Sequence, residues 1–118
     1  MACTISTSHA TDDVWMIKNS IFSCFARMVV DQYVHDPGIV SQVELAEAMN
    51  GISLDILYES QPELAMRLRN ALRAVANRIV RGDLSASDDV SHPPADVLTQ
   101  HQPSFIPLIQ LLDRWEPK

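Results

Sequence analysis

A chain of 118 residues with a net charge of −6 has room for one hydrophobic core, and dividing it would leave two thin ones. Its composition, 47% hydrophobic and 20% charged, is that of a folded globular protein rather than a disordered chain. The acidic balance excludes a surface that attracts nucleic acid everywhere, because such binding depends on lysines and arginines displacing counterions from phosphates.

The opening MACTISTSHAT holds no Lys or Arg and no apolar core long enough for a secretory signal. It reads as a flexible tail over residues 1–11, ahead of a helical domain over residues 12–118. A first helix is predicted from a cap at Thr11 or Asp12 to about His35, ended by Pro37 and Gly38. Val14, Ile17, Ile21, Phe22, Cys24, Phe25, Met28, Val29 and Tyr33 cover about half of its circumference, opposite a polar stripe of Asn19, Ser20, Ser23, Arg27 and Asp31.

Ser41 followed three residues later by Glu44 is the pattern of a reciprocal capping box and predicts the start of a second helix. Gly51 supplies its left-handed stop, and Ser53 caps a short third helix to about Glu59. A second box, Ser60 to Glu63, opens the longest helix, with Pro62 in the first turn, where a missing amide hydrogen costs little. Leu64, Leu68, Ala71, Leu72, Val75 and Ile79 form its buried stripe, and Gly82 ends it. Residues 83–94 are a linker rich in Ser, Asp and Pro. A short turn or helix from Ala95 to His101 then precedes a last helix capped by Ser104. No segment shows clear period-two alternation. The fold expected is therefore all-α, a single-domain irregular bundle of five or six helices.

The long helix stands out by its charge. Arg67, Arg69, Arg73, Arg78 and Arg81 are five of the seven arginines, opposed within it only by Glu63, so residues 63–82 carry +4 and the rest of the chain −10. Such guanidinium groups suit carboxylates or phosphates. They either recognise an acidic partner or pair internally with Asp83, Asp88, Asp89 or Asp96, with Arg78 and Arg81 also favouring the negative end of the helix dipole. In the last helix, Phe105, Leu108, Ile109 and Leu112 point to the core, and Leu111 and Trp115 lie toward one edge. That edge is covered either by a partner or second copy or by neighbouring helices.

Ser41 to Tyr58 resembles a DNA-reading helix-turn-helix, with Leu45 and Ala46 packed inside the first helix, Asn50 and Gly51 at the turn, and Ile56 anchoring the second. Its reading helix offers Ile52, Leu54, Asp55, Leu57 and Glu59 but no side chain suited to base edges or phosphates, which disfavours nucleic acid as a partner.

No enzyme is expected. His9, His35, His92, His101, Cys3 and Cys24 form no nucleophile, base and orienting-group pattern, and His92, Asp96 and His101 match no metal-ligand spacing. Gly38, Gly51 and Gly82 all fall at predicted helix boundaries, so no phosphate loop is present and no cofactor or metal is expected. Two cysteines without a disulfide framework suit a reducing cytoplasm. No apolar run nears the roughly 20 residues of a membrane span.

The function this pattern suggests is macromolecular, chiefly protein–protein, binding by a small soluble helical protein: an inhibitor, immunity factor or regulatory adaptor. Arg67, Arg69, Arg73, Arg78 and Arg81 would steer an acidic-surfaced partner, and Leu111 and Trp115 would anchor it, or the last helix would mediate self-association. The alternative is a helix-turn-helix-like nucleic-acid regulator.

Overall fold

The computed structural model describes residues 2–7, 14–81 and 100–115. Helices take 76% of them, but a three-stranded sheet is also present, so the architecture is mostly helical rather than all-α.

The sheet accounts for the first two corrections. Where a loose tail is expected, Ala2–Ser6 forms strand β1, with Cys3 and Ile5 buried. Where the first helix is expected to begin, Val14–Lys18 forms strand β2. Trp15 and Ile17 point inward, and Val14, Met16 and Lys18 point outward. This is the period-two alternation of a half-buried strand. Val14, Ile17 and Ile21 also fit a three-and-four helical spacing, which is why a helical wheel absorbs the strand. β1 lies in the centre of the sheet, antiparallel to β2 with Ile5 opposite Trp15, and parallel to a third strand, β3 (Gly51–Ser53), with Ile5 beside Ile52. The caps expected at Thr11 and Asp12 lie outside the described residues.

Helix α1 spans Asn19–Gln32 and buries Ile21, Phe22, Phe25, Ala26 and Val29. Helix α2 spans Pro37–Met49, so Pro37 opens a helix instead of ending one. The Asp36 carboxylate accepts from the Ile39 amide at 3.3 Å, capping α2 ahead of the expected box at Ser41. Proline suits this first turn because its missing donor is not needed there.

Asn50, at φ 63°, takes the left-handed position expected of Gly51. Gly51 has a different task. A Cβ there would stand 2.6 Å from the Thr4 hydroxyl oxygen and 2.9 Å from the Thr4 carbonyl oxygen, so only glycine lets β3 close on β1.

Helix α3 spans Leu54–Ser60 and helix α4 spans Pro62–Arg81, the latter burying Leu64, Ala65, Leu68, Ala71, Leu72, Val75, Ala76 and Ile79. Ser60 closes α3, with its hydroxyl donating to the Leu57 carbonyl, instead of capping α4. The linker at 83–94 lies outside the described residues. A 3-10 turn at Gln102–Phe105 leads into helix α5, Ile106–Arg114, so Ser104 sits within the turn instead of at the helix cap.

α4 is the hub, packing against α1, α2, α3, the 3-10 turn and α5. At the other side of the core, Phe25 meets Phe22, Trp15 and Phe105 at centroid separations of 6.1, 6.2 and 5.2 Å. The Trp15 indole N–H donates to the Ser104 carbonyl at 2.8 Å, joining β2 to the turn before α5 and satisfying the ring's one polar atom.

Candidate interaction surface

The arginines of α4 leave their helix on its flanks and reach four different partners. Arg67 binds the Oδ2 atom of Asp36 at 3.0 Å, so one carboxylate both caps α2 and ties it to α4. Arg69 donates to the Leu112 carbonyl at 3.3 Å, in the last turn of α5, where a cation also meets the negative end of the helix dipole; its Nε atom is buried without a hydrogen-bond partner. Arg73 forms an ion pair with Asp113 of α5. Arg78 donates to the Gln32 side-chain oxygen of α1 at 2.7 Å. Arg81 is exposed at the end of the helix. The expected internal partners Asp83, Asp88, Asp89 and Asp96 lie outside the described residues. The partners among the described residues come from α1, from the cap of α2 and from α5, and they make four of the five arginines ties between α4 and its neighbours.

Leu111 and Trp115 are also placed differently from an exposed anchor. Their exposures are 3% and 8%, and Trp115 packs edge-on against Tyr58 of α3 at 5.9 Å. α5 lies in the core between α4 and β2, so both sides of its apolar band are covered apart from Ile106 and part of Ile109. Each large side chain buried in this way contributes roughly 1.5 to 3 kcal/mol to the fold.

Within Ser41–Tyr58, the expected helix-turn-helix is interrupted by a strand. β3 stands between α2 and α3, hydrogen-bonded into the sheet. Ala46 is buried as expected, but Leu45 and Ile56 are exposed, and Val43, Ile52 and Leu54 supply the anchoring instead.

Cys3 is a buried free thiol and Cys24 a half-buried one. Burial pushes the Cys3 thiol above its ordinary value, and its sulfur lies 3.9 Å from the Ala46 carbonyl. Burial likewise raises Cys24. His35 is exposed and His101 half-buried, and among the described residues no three His, Cys, Asp or Glu side chains gather as a metal site. His9, His92 and Asp96 lie outside the described residues. Among those described, no helix is long and apolar enough to cross a membrane.

The surface that does stand out is α2. The apolar residues of α1, α4 and α5 are segregated to one face, but those of α2 run around its circumference. Ile39, Val43 and Ala46 face the core, and Leu45, Ala48 and Met49 face solvent, with Leu45 50% and Met49 70% exposed. Glu44 and Glu47 stand on the same exposed turns. A helix apolar on both sides normally has neighbours on both sides, and among the described residues only one side of α2 is covered.

A signal for this surface is present in the sequence. The 39 residues from Met28 to Met66 contain seven acidic residues and no lysine or arginine. The arginine run of α4 draws attention away from that gap. Comparison with protein-family models, curated proteins and solved structures gives no match, so the functional reading rests on this chain's own residues.

Proposed function

We propose that this protein acts by binding another protein on the solvent side of α2, as a small inhibitor, immunity factor or regulatory adaptor does. The observation that carries the reading is the second apolar face of α2, where Leu45 and Met49 lie one turn apart, with Glu44 exposed on its flank next to Ser41 and Ala48 and Glu47 further round the helix. Exposed apolar side chains in a polar surround are the usual chemistry of an interface: the apolar groups are desolvated and the charges choose the partner. The arginine flank of α4 supports such a surface less well, because Arg67, Arg69, Arg73 and Arg78 already hold oxygen atoms of the fold.

Site-specific photocrosslinking in the cells of origin tests this reading. Benzoylphenylalanine in place of Met49 is expected to trap one discrete protein, and the same group in place of the exposed Ser23 of α1 is expected to trap none. An adduct destroyed by nuclease instead of protease would assign the surface to a nucleic-acid regulator. Identical patterns from the two positions would remove the reading.

A further inference from the structure

We infer that the segment received by α2 is a basic helix carrying an apolar stripe, an inference that rests on α2 being the binding surface. Its first ground is charge. α2 and α3 expose Glu44, Glu47 and Glu59 and carry no lysine or arginine, and the nearest arginine in the sequence beyond them, Arg67, is paired with Asp36. A lysine- or arginine-bearing segment is attracted by such a field; an acidic protein or a nucleic acid is repelled.

Shape is the second ground. Leu45 and Met49 are separated by one helical turn, about 6 Å along the axis, with the small side chains of Ser41 and Ala48 on the same exposed face. Rows of large side chains with small neighbours are what a second helix packs into, ridge against groove. The backbone of α2 is committed to its own helix, so it offers no edge for strand addition, and a partner that satisfies its own backbone groups fits best.

A second copy of this chain fits poorly, because two α2 faces brought together would juxtapose Glu44 and Glu47 from both. The chain's own Ser/Asp/Pro-rich stretch is no better matched, since its Asp83, Asp88 and Asp89 are acidic as well.

The test uses the full isotope-labelled chain and three synthetic peptides of about 15 residues, long enough to form a helix on binding. One places Leu at helical spacing among Lys, one replaces every Lys by Glu, and one keeps Lys but replaces every Leu by Ser. At physiological salt the Lys/Leu peptide is expected to bind and to shift amide resonances of Ser41–Met49, and the other two are expected to bind at least about tenfold more weakly. Glu44→Lys with Glu47→Lys, and separately Leu45→Ser with Met49→Ser, should each weaken the Lys/Leu peptide about tenfold or more while leaving the circular dichroism spectrum unchanged.

Equal binding of the Glu/Leu peptide, shifts confined to another face, or unaltered affinity in both double variants would overturn the inference. So would a dimer of the chain alone that Leu45→Ser with Met49→Ser dissociates, which would assign the face to a second copy. If Met49 traps a protein in cells but the Lys/Leu peptide leaves α2 unmoved, protein binding stands and the basic helix falls. If the peptide binds α2 as described but Met49 traps nothing, the surface chemistry is upheld and the cellular binding reading fails.

Discussion

α4 and α2 lie against each other in the same core, yet they relate charge to exposure in opposite ways. α4 carries five arginines and looks like a recognition element, but one face is fully buried and four of the arginines bind Asp36, Asp113, Gln32 and the Leu112 carbonyl. α2 carries two glutamates and looks plain, but Leu45 and Met49 stand exposed on its outer side. The lesson is that a charge run on a hub helix first meets the polar ends of the helices packed on it. An apolar residue on a helix side that no described element covers, such as Leu45 or Met49, stays exposed.

Core substitutions should give the largest effects and set the scale for the rest. Phe25→Ala removes a ring that touches three other aromatics and is expected to cost about 3 to 5 kcal/mol; Leu68→Ala in α4 should cost about 2 to 5 kcal/mol. Urea unfolding midpoints measure both. Gly51→Ala comes next, at about 1 to 3 kcal/mol, because its methyl would collide with the Thr4 backbone and push β3 off β1. A neutral result there would mean that the parallel pairing of β1 and β3 contributes little.

Within α4 the arginines should themselves separate. Arg69 is half-buried and serves a helix-end carbonyl, so Arg69→Ala should cost about 1 to 3 kcal/mol. The Arg67 side chain is itself 55% exposed in its ion pair with Asp36, so Arg67→Ala should cost at most about 1 kcal/mol. Equal losses would break the picture of graded ties. On α2, Leu45→Ala and Met49→Ala should each change stability by no more than about 0.5 kcal/mol. A loss comparable to that of Leu68→Ala would show the outer face of α2 to be covered within the folded chain.

The smallest effect is a pH dependence. Burial raises both Cys3 and Cys24 above the ordinary thiol value of 9.0, so the folded state favours the protonated thiols more than the unfolded state does. Their contribution is complete below that value and is lost as pH rises through the raised values. Unfolding midpoints should therefore drift downward on the alkaline side, and Cys24→Ser should reduce the drift. A midpoint that is flat or rises there would contradict the burial of the two thiols.

Much of the helical content was legible because its signals are local. Pro62 in a first turn and the apolar stripe from Leu64 to Ile79 each involve residues within a few turns of one another, and α3 and α4 fall close to their expected bounds, although Ser53 before α3 makes no side-chain capping bond. The strands were not legible in the same way. Five residues of alternation in Val14–Lys18 also satisfy a helical wheel, and β1 becomes a strand through pairing with β2 and with β3, the latter beyond two helices in the chain.

For the candidate site, the sequence by itself determined which residues bear charge and which are apolar, including the gap in positive charge from Met28 to Met66. Only the tertiary structure decided which of them are available. Arg67 finds Asp36 31 positions away and Arg69 finds Leu112 43 positions away, while the packing of α5 against α4 and β2 buries Leu111, Tyr58 of α3 packs on Trp115, and Leu45 and Met49 stay outside. Side-chain chemistry is written residue by residue, but exposure depends on which distant surfaces exclude water from it.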